Sequence, residues 1–347
     1  MMPQNTLNQR KLPPLKKKEE MMALLTHWEY GNPLPPPEEI SFETEGKPLR
    51  FSCGKYALTK VRATARILGK TFSFPFHALL PVEGTDYPFF AFINFDPNVP
   101  SRYCPAEEVT DLGFAVLSLD YKDITSDDND FQNGLAGLLY PDGKRKPTDP
   151  GKIALWAWGL QRLLDYAESL GGILNPARGI SCGHSRLGKT ALFAAATDSR
   201  FAAAYSNDSG CSGAAISRGK EGETVEKIYN RFPYWFCENY ATWKGNEDQM
   251  PFDQHYLLAS IAPRPVFVGS ATKDLWADPK SEFLSCLAAA PAWEEYGLKG
   301  LKAPEKFPEA GDVFTDGNPC YHLREGEHYF SRHDWHRLCA FRKERNL

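Results

Sequence analysis

The stretch GHSRLGKTAL, Gly183 to Leu192, places a serine among small residues where a strand pattern gives way to a helix pattern. Serine nucleophiles of acyl-transfer enzymes occur on such strand–turn–helix junctions, usually in the pattern G-x-S-x-G. Gly183 fits that pattern, but Leu187 occupies the position of the second glycine, which follows one residue later as Gly188. We interpret Ser185 as a nucleophile, and a loop serine that caps the helix is the alternative.

A serine nucleophile needs a base, and four of the eight histidines follow the last predicted strands. His328 lies in a glycine-containing loop directly after a strand pattern, where the base of this kind of site belongs. His322 falls inside that strand pattern and is interpreted as structural. His333 and His336 flank the start of a helix pattern and are expected at the surface. His328 is therefore the predicted base for Ser185.

Two aspartates qualify as the acid that orients the histidine. Asp274 follows the strand pattern PVFVGSA, and Asp208 ends the strand pattern before it. Both lie at the carboxyl edge of the predicted sheet, so either can complete a triad in which the carboxylate holds the imidazole. An aspartate after a strand is also an ordinary helix cap. The sequence leaves the choice between them open.

The elements that carry these residues predict an α/β fold. YALTKVRATARIL and FSFPFHALLPV alternate as antiparallel strands do, whereas FFAFINF and FAVLSLDY are apolar on both faces, as buried parallel strands are. GKIALWAWGLQRLLDYAESLG has helical periodicity, a second helix begins near Arg186, and FAAAYSND and RPVFVGSATKD are further strands. Such alternation predicts a mostly parallel sheet sandwiched by helices.

We divide the chain into an extended, Pro-rich N-terminal arm, residues 1–40, and one catalytic domain, residues 41–347, with an insertion at about 211–261. A short apolar patch within the arm, Met21 to Leu25, is interpreted as the first turns of a helix.

Composition excludes several classes of protein. A net charge of −4 argues against a nucleic-acid binder, which needs a basic face. No apolar run is long enough to span a membrane, and the eight cysteines lack the spacings of a zinc site or a disulfide framework. We recognise no signal peptide and expect a cytoplasmic monomer without metal or organic cofactor. The aromatic content of 13% suits either a large core or stacking platforms for sugars.

Five motifs in order, GHSRLGKTAL, NDSGCSGAA, IAPRPVFV, DLWADP and YHLREGEH, are similar to those of the glucuronoyl esterases of carbohydrate esterase family fifteen. The helix LWAWGLQRLLDY and the segment YGNPLPPP resemble the bacterial branch. The similarity extends from about Tyr30 to the end of the chain. It implies an α/β-hydrolase fold that cleaves the ester between a glucuronic acid carboxyl and an alcohol, as between xylan and lignin.

The resemblance also implies roles for individual residues. The motif G-C-S-R-x-G-K makes Ser185 the nucleophile, Arg186 the arginine that holds the oxyanion and Lys189 a ligand of sugar hydroxyls. His328 matches the histidine of the terminal loop. The remaining matches are Asp208 and Asp274, which occupy the two acid positions of the family, Trp276, which would contact the uronic sugar, and Glu223, which would bind its hydroxyls.

This chain departs from the family pattern at three points. His184 replaces the cysteine before the nucleophile. A second polar contact to the sugar has no clear counterpart, and Arg231, Asn230 and Gln254 are its candidates. Lignin-linked xylan cannot enter a cell, so a cytoplasmic enzyme would act on imported oligosaccharides or small esters.

The leading hypothesis is a serine esterase that acts on glucuronoyl or 4-O-methyl-glucuronoyl esters through an acyl-enzyme. The nearest alternatives keep the machinery and change the substrate, to acetylated oligosaccharides or to methyl esters of uronic acids. A non-catalytic sugar-binding relative would have a broken triad, and a peptidase of the same fold would need a gating domain. The sequence shows neither feature.

Overall fold

In the computed structural model, which describes residues 2–347, ten strands form a single sheet in the order β1-β2-β3-β5-β4-β6-β7-β8-β10-β9. The strands are β1 Glu39–Phe51, β2 Tyr56–Ile67, β3 Lys70–Pro81, β4 Tyr87–Asn94, β5 Ala115–Asp120, β6 Leu174–His184, β7 Ala203–Asn207, β8 Val266–Ala271, β9 Val313–Phe314 and β10 Cys320–Arg324. The six strands from β5 to β10 in this order pair in parallel, and β1–β3 and β9 pair antiparallel at the edges. The predicted mostly parallel sheet is confirmed.

Eleven α-helices accompany the sheet in the described residues. They are α1 Pro3–Gln9, α2 Lys18–Leu25, α3 Ala106–Asp111, α4 Gly134–Leu139, α5 Lys152–Ser169, α6 Arg186–Thr197, α7 Val225–Arg231, α8 His255–Ala259, α9 Pro279–Ala289, α10 Pro291–Glu294 and α11 Arg332–Glu344. The predicted helix that precedes the Ser185 strand is α5, and the predicted helix at Arg186 is α6. No helix among residues 2–347 combines the length and the apolar character needed to cross a bilayer.

The central strands are buried on both faces because helices cover each side of the sheet. Alternate side chains of β4 enter two separate cores: Phe89 packs with Trp156 of α5 and Leu192 of α6, whereas Phe90 packs with Trp335 of α11. Both phenylalanines are completely buried. This arrangement explains why FFAFINF is apolar at every position instead of alternating.

The N-terminal 40 residues differ from the predicted extended arm. Residues 3–9 and 18–25 are α-helical, residues 26–30 form a π-helical turn, and β1 already begins at Glu39. Met21 and Leu25, four positions apart, lie on one face of α2 and are buried, as is Tyr30. The helix predicted at Met21 to Leu25 is confirmed as part of α2, whereas the prediction of a wholly extended arm was wrong, because this apolar face packs into the core despite the charged and Pro-rich residues around it.

The N-terminal segment packs against the insertion at 211–261. The insertion is built from α7, α8 and three 3-10 turns, residues 233–235, 238–243 and 247–249. Tyr30 donates a hydrogen bond from its hydroxyl to the Ser212 carbonyl at 2.9 Å, and the backbone N–H of Cys237 donates to the Glu29 carbonyl at 2.8 Å. The two regions therefore form one packed unit on the side of the molecule that carries the insertion.

We expect Leu25→Ala to lower the free energy of unfolding by about 2–5 kcal/mol, because truncation of this fully buried side chain leaves a cavity in the core. The neighbouring Leu24 is only partly buried, and Leu24→Ala should cost less. Denaturant unfolding of both variants beside the wild type measures the difference. Equal and small losses for both would contradict the packing of α2 into the core.

Candidate active site

Ser185 occupies a tight turn between β6 and α6, with φ 57° and ψ −128°. Residues other than glycine rarely adopt this backbone conformation, and here close neighbours stabilise it. The Ser185 amide donates to the Asn207 carbonyl at 2.8 Å, and a Cβ at Gly183 would lie 2.1 Å from the Leu187 carbonyl oxygen. A Cβ at Gly188 would meet the Ser206 Oγ at 2.9 Å. The crowded positions are thus 183 and 188, which explains the displaced second glycine of the motif.

The catalytic constellation predicted from sequence assembles around this turn. Ser185 Oγ donates to His328 Nε2 at 2.8 Å, and His328 Nδ1 donates to Asp274 Oδ2 at 2.6 Å. Asp274 follows β8 and His328 follows β10, so both reach the carboxyl edge of the sheet. The Asp274 carboxylate is almost completely buried, whereas the imidazole is partly open to solvent. This is the hydrogen-bond relay of a serine nucleophile, a base and an orienting acid.

Asp208 lies beside this relay without taking part in it. Its Oδ2 is 3.4 Å from Arg324 Nη2, and its buried Oδ1 has no hydrogen-bond partner within residues 2–347. Burial, followed by the carboxylates of Glu282 and Asp274, raises the pKa of Asp208 well above its ordinary value. Oxygens of both aspartates and a ring nitrogen of His328 lie within 4.8 Å of one another. The geometry therefore gives His328 the Asp274 carboxylate as its partner and leaves Asp208 outside the relay.

A cavity of about 290 Å³ opens beside Ser185 and is lined by all eight residues to which the family motifs assign a role. Its lining residues are Ser185, Arg186, Lys189, Asp208, Ser209, Gly210, Glu223, Arg231, Phe232, Trp235, Asp274, Trp276, Ala277 and His328. The cavity therefore places an ester carbonyl at Ser185 within reach of polar groups from α6, the insertion and the loop after β8.

Lys189 is buried in the wall of this cavity, and its ammonium donates to the Ser209 carbonyl. Burial lowers the pKa of Lys189, and the nearby Glu223 carboxylate opposes that effect. Glu223 is 8% exposed, and its backbone N–H donates to the Trp276 carbonyl at 3.0 Å. The Trp276 ring is 49% exposed, with Lys227 Nζ 5.2 Å from its centre. A half-exposed ring beside a buried ammonium and a carboxylate offers both an apolar face and hydrogen-bonding groups.

A sequence model described as "Glucuronyl esterase, fungi" matches residues 64–297, more than half of the chain. The chain belongs to the glucuronyl esterase family. Carbohydrate esterase MZ0003 of an unknown prokaryotic organism is 42% identical over 231 residues, which are 66% of this chain and 53% of that protein. The 4-O-methyl-glucuronoyl methylesterase of Hypocrea jecorina is 28% identical over 81% of this chain and 58% of its own length. The chain thus spans little more than half the length of these two relatives.

Solved structures of glucuronyl esterase relatives share the fold over nearly the whole chain. A glucuronoyl esterase from Solibacter usitatus has a TM-score of 0.84 and 29% identity, with 94% of this chain and 91% of that one covered. A promiscuous esterase of carbohydrate esterase family fifteen from a marine bacterial metagenome has a TM-score of 0.81 and 31% identity, with coverage of 94% and 90%. The predicted α/β-hydrolase fold is confirmed.

Of the three candidates for a second polar contact, Arg231 alone lines the cavity of this family member. Asn230 instead accepts a hydrogen bond from Lys244 Nζ at 3.2 Å. Gln254 is buried, and its side-chain amide donates to the Glu29 carboxylate at 2.8 and 3.0 Å. Arg231 ends α7 and is exposed, so its guanidinium can meet a ligand at the mouth of the cavity.

His184, the departure from the family motif, forms part of the packing behind the base. Its Nδ1 is 2.7 Å from Asn207 Oδ1, and its ring centre is 4.6 Å from that of His328. Burial and the neighbouring His328 lower the pKa of His184 well below its ordinary value, so the ring is neutral. His322 is buried, 2.9 Å from the Tyr205 hydroxyl, in line with its structural interpretation.

Phe232, Trp235 and Ser209 also line the cavity, although the sequence analysis did not single them out. The aromatic run RFPYWF inside the insertion is the local signal that could have indicated the first two. Ser209 enters through its backbone carbonyl, the partner of Lys189, for which no side-chain signal exists.

We expect Asp274→Asn to lower kcat by roughly 10³–10⁴-fold on any ester the enzyme cleaves, because the amide cannot hold the imidazole as the carboxylate does. Asp208→Asn should change kcat less than about tenfold, since His328 is hydrogen-bonded to Asp274 and not to Asp208. Steady-state kinetics of the two variants compares the positions directly. A larger loss in Asp208→Asn than in Asp274→Asn would contradict the assignment.

The raised pKa of Asp208 also predicts a pH-dependent stability. The folded state binds this proton more tightly than the unfolded state, so the stabilisation is complete below the ordinary carboxyl pKa and is lost as pH rises through the raised value. Asp208→Asn lacks this titration. Its unfolding temperature should therefore rise relative to that of the wild type as the pH increases above about 4, the ordinary carboxyl pKa. A difference in unfolding temperature that stays constant with pH would refute the prediction.

Proposed function

We propose that this chain is a serine carboxylic-ester hydrolase that cleaves glucuronoyl or 4-O-methyl-glucuronoyl esters. The observation that carries the proposal is the composition of the cavity next to Ser185. A buried ammonium, a carboxylate and an exposed indole ring lie on its wall, and the nucleophile with its relay lies at one end. The relatives named glucuronoyl esterase and 4-O-methyl-glucuronoyl methylesterase support the same substrate class.

The chemistry begins with attack of Ser185 Oγ on the ester carbonyl, while His328 Nε2 takes the hydroxyl proton. The tetrahedral oxyanion is stabilised by the Arg186 guanidinium and by the Arg186 backbone N–H, which α6 leaves unpaired at its N-terminus. His328 then protonates the leaving alcohol, which departs from the acyl-enzyme. Water attacks the acyl carbon, gives its proton to His328, and releases the uronic acid and Ser185.

The acyl side of the substrate matches the groups on the cavity wall. Lys189 carries three N–H donors, of which the Ser209 carbonyl uses one, so two remain for sugar hydroxyls. Glu223 accepts from hydroxyls, and a donor and an acceptor side by side suit a vicinal pair. The Trp276 ring suits the weakly apolar face of a pyranose.

An acetyl ester is the second candidate, as is a methyl ester of another uronic acid. An acetyl group carries no hydroxyls, so it offers neither an acceptor to the free N–H groups of Lys189 nor a donor to Glu223. A uronate acyl group satisfies them. We therefore place the sugar on the acyl side, and xylan carrying glucuronoyl esters is the natural polymer of this chemistry.

The test is hydrolysis of a matched panel: benzyl and methyl glucuronate, methyl galacturonate and an acetylated xylo-oligosaccharide. We expect glucuronate turnover that Ser185→Ala abolishes and that Glu223→Gln weakens, mainly through a higher KM. Glu226→Gln, a change outside the cavity on the same segment, serves as the control and should match wild type. Release of acetate without glucuronate turnover would retain the triad and refute the uronate assignment.

A further inference from the structure

Asp127 belongs to none of the five sequence motifs, yet it contacts Arg186, the proposed oxyanion arginine, directly. It belongs to the loop between β5 and α4, 59 residues before Arg186 in the chain. We propose that Asp127 is a positioning residue for catalysis, which holds the Arg186 guanidinium where the oxyanion develops. This inference rests on the proposed esterase chemistry and adds a residue to it.

The Asp127 carboxylate is the centre of a small network. Its Oδ2 accepts hydrogen bonds from Arg186 Nη1 and, at 2.9 Å, from the Tyr121 hydroxyl. Its Oδ1 accepts from Trp235 Nε1 at 2.7 Å, and its backbone carbonyl accepts from the Tyr234 hydroxyl at 3.2 Å. Both carboxylate oxygens are therefore engaged by donors from different parts of the chain, which fixes the plane of the carboxylate.

The same network fixes the arginine. Asp127 is the hydrogen-bond partner of the Arg186 side chain within residues 2–347, and the buried Arg186 Nε has no partner there. The guanidinium carbon lies 4.7 Å from the centre of the Trp235 ring and 5.6 Å from that of Phe232. The Phe95 ring centre lies 5.5 Å away, so one ion pair and three aromatic rings hold a cation that would otherwise rotate about four side-chain bonds.

This arrangement matters because an oxyanion donor is effective only when its orientation is set before the reaction. Arg186 uses Nη1 for Asp127, which leaves the N–H groups of Nη2 for the substrate. Trp235 comes from the insertion, so the insertion acts on the chemical step through Asp127 as well as forming the cavity wall. A role confined to folding would not require the carboxylate to contact Arg186 and the cavity-lining Trp235 together.

Asp127→Asn tests the proposal because an amide cannot accept from both sides. One of its two terminal atoms becomes a donor, so the contact to Arg186 or the contact to Trp235 is lost together with the negative charge. We expect kcat for benzyl glucuronate to fall by about 10–100-fold with KM changed by less than about threefold, a loss below that of removing an oxyanion donor outright. Asp128→Asn, a change at the exposed neighbouring carboxylate, should leave kcat unchanged.

A double-mutant cycle with Arg186→Met separates positioning from a general structural effect. If Asp127 acts through Arg186, Asp127→Asn should lower kcat by less than about twofold further in the Arg186→Met background. Equal fold-losses in both backgrounds, or a loss carried by KM alone, would overturn the proposal. Trp235→Phe, which removes only the indole N–H donor, should lower kcat in the same manner but less. An unchanged kcat in Trp235→Phe would mean that the insertion takes no part in positioning Arg186.

The rate of labelling by a fluorophosphonate keeps this test independent of the substrate assignment. In that reaction the Ser185 Oγ–phosphorus bond forms, the phosphorus–fluorine bond breaks, fluoride leaves and the hydroxyl proton passes to His328. The phosphoryl oxygen takes the oxyanion position, so Asp127→Asn should slow labelling about tenfold in the wild-type background and not in Arg186→Met. If glucuronates are not cleaved and labelling follows this pattern, the uronate assignment fails and the Asp127 inference stands. Unchanged labelling in Asp127→Asn would overturn the inference.

Discussion

The left-handed conformation of Ser185 is the constraint on which the rest of the site depends. The Ser185 amide donates to the Asn207 carbonyl on the neighbouring strand, and the Leu187 carbonyl of the following helix leaves no room for a Cβ at Gly183. Because α6 begins at the next residue, the nucleophile, Arg186 and Lys189 emerge from a single helical turn. The three roles that we propose for these residues, attack, oxyanion stabilisation and sugar binding, therefore share one rigid origin.

The charged groups of the site are paired with opposite charges or hydrogen-bonding groups in surroundings of low dielectric constant. The Arg186 guanidinium forms an ion pair with Asp127, and the His328 imidazole is hydrogen-bonded to Asp274. The Lys189 ammonium donates to a backbone carbonyl, with the Glu223 carboxylate nearby. Each charged group retains part of its hydrogen-bonding capacity toward the cavity. Such partly satisfied groups interact strongly with a ligand because little solvent competes for them.

Local patterns were sufficient to predict the elements that present the nucleophile and the base. Ser185 and His328 each lie at the junction of a strand and a following segment, and those junctions are visible in short stretches of sequence. Asp208 and Asp274 both satisfy the same topological rule, so only the distance to His328 separates them. β1 was not predicted, because it is exposed at most positions and lacks a clear alternation, and α2 was predicted only at its apolar end, Met21 to Leu25.

The contacts of Asp127 could not be predicted from the sequence at all. Its hydrogen bonds join residues 59 and 108 positions apart, and nothing in the sequence near Asp127 differs from an ordinary polar loop. Networks of this kind arise from how separate loops meet above the sheet. They become visible only when the fold is known.

The packing of the N-terminal segment on the insertion has a consequence for exchanging parts between relatives. Arg10 donates to the Arg218 carbonyl, His255 contacts the Pro13 carbonyl at 3.0 Å and Tyr256 donates to the Pro14 carbonyl at 2.6 Å. The insertion, which supplies part of the cavity lining, is thus hydrogen-bonded to residues that precede the sheet. A chimera that takes residues 211–261 from a relative should therefore take the N-terminal segment from the same relative. These two segments are far apart in the sequence but pack against each other.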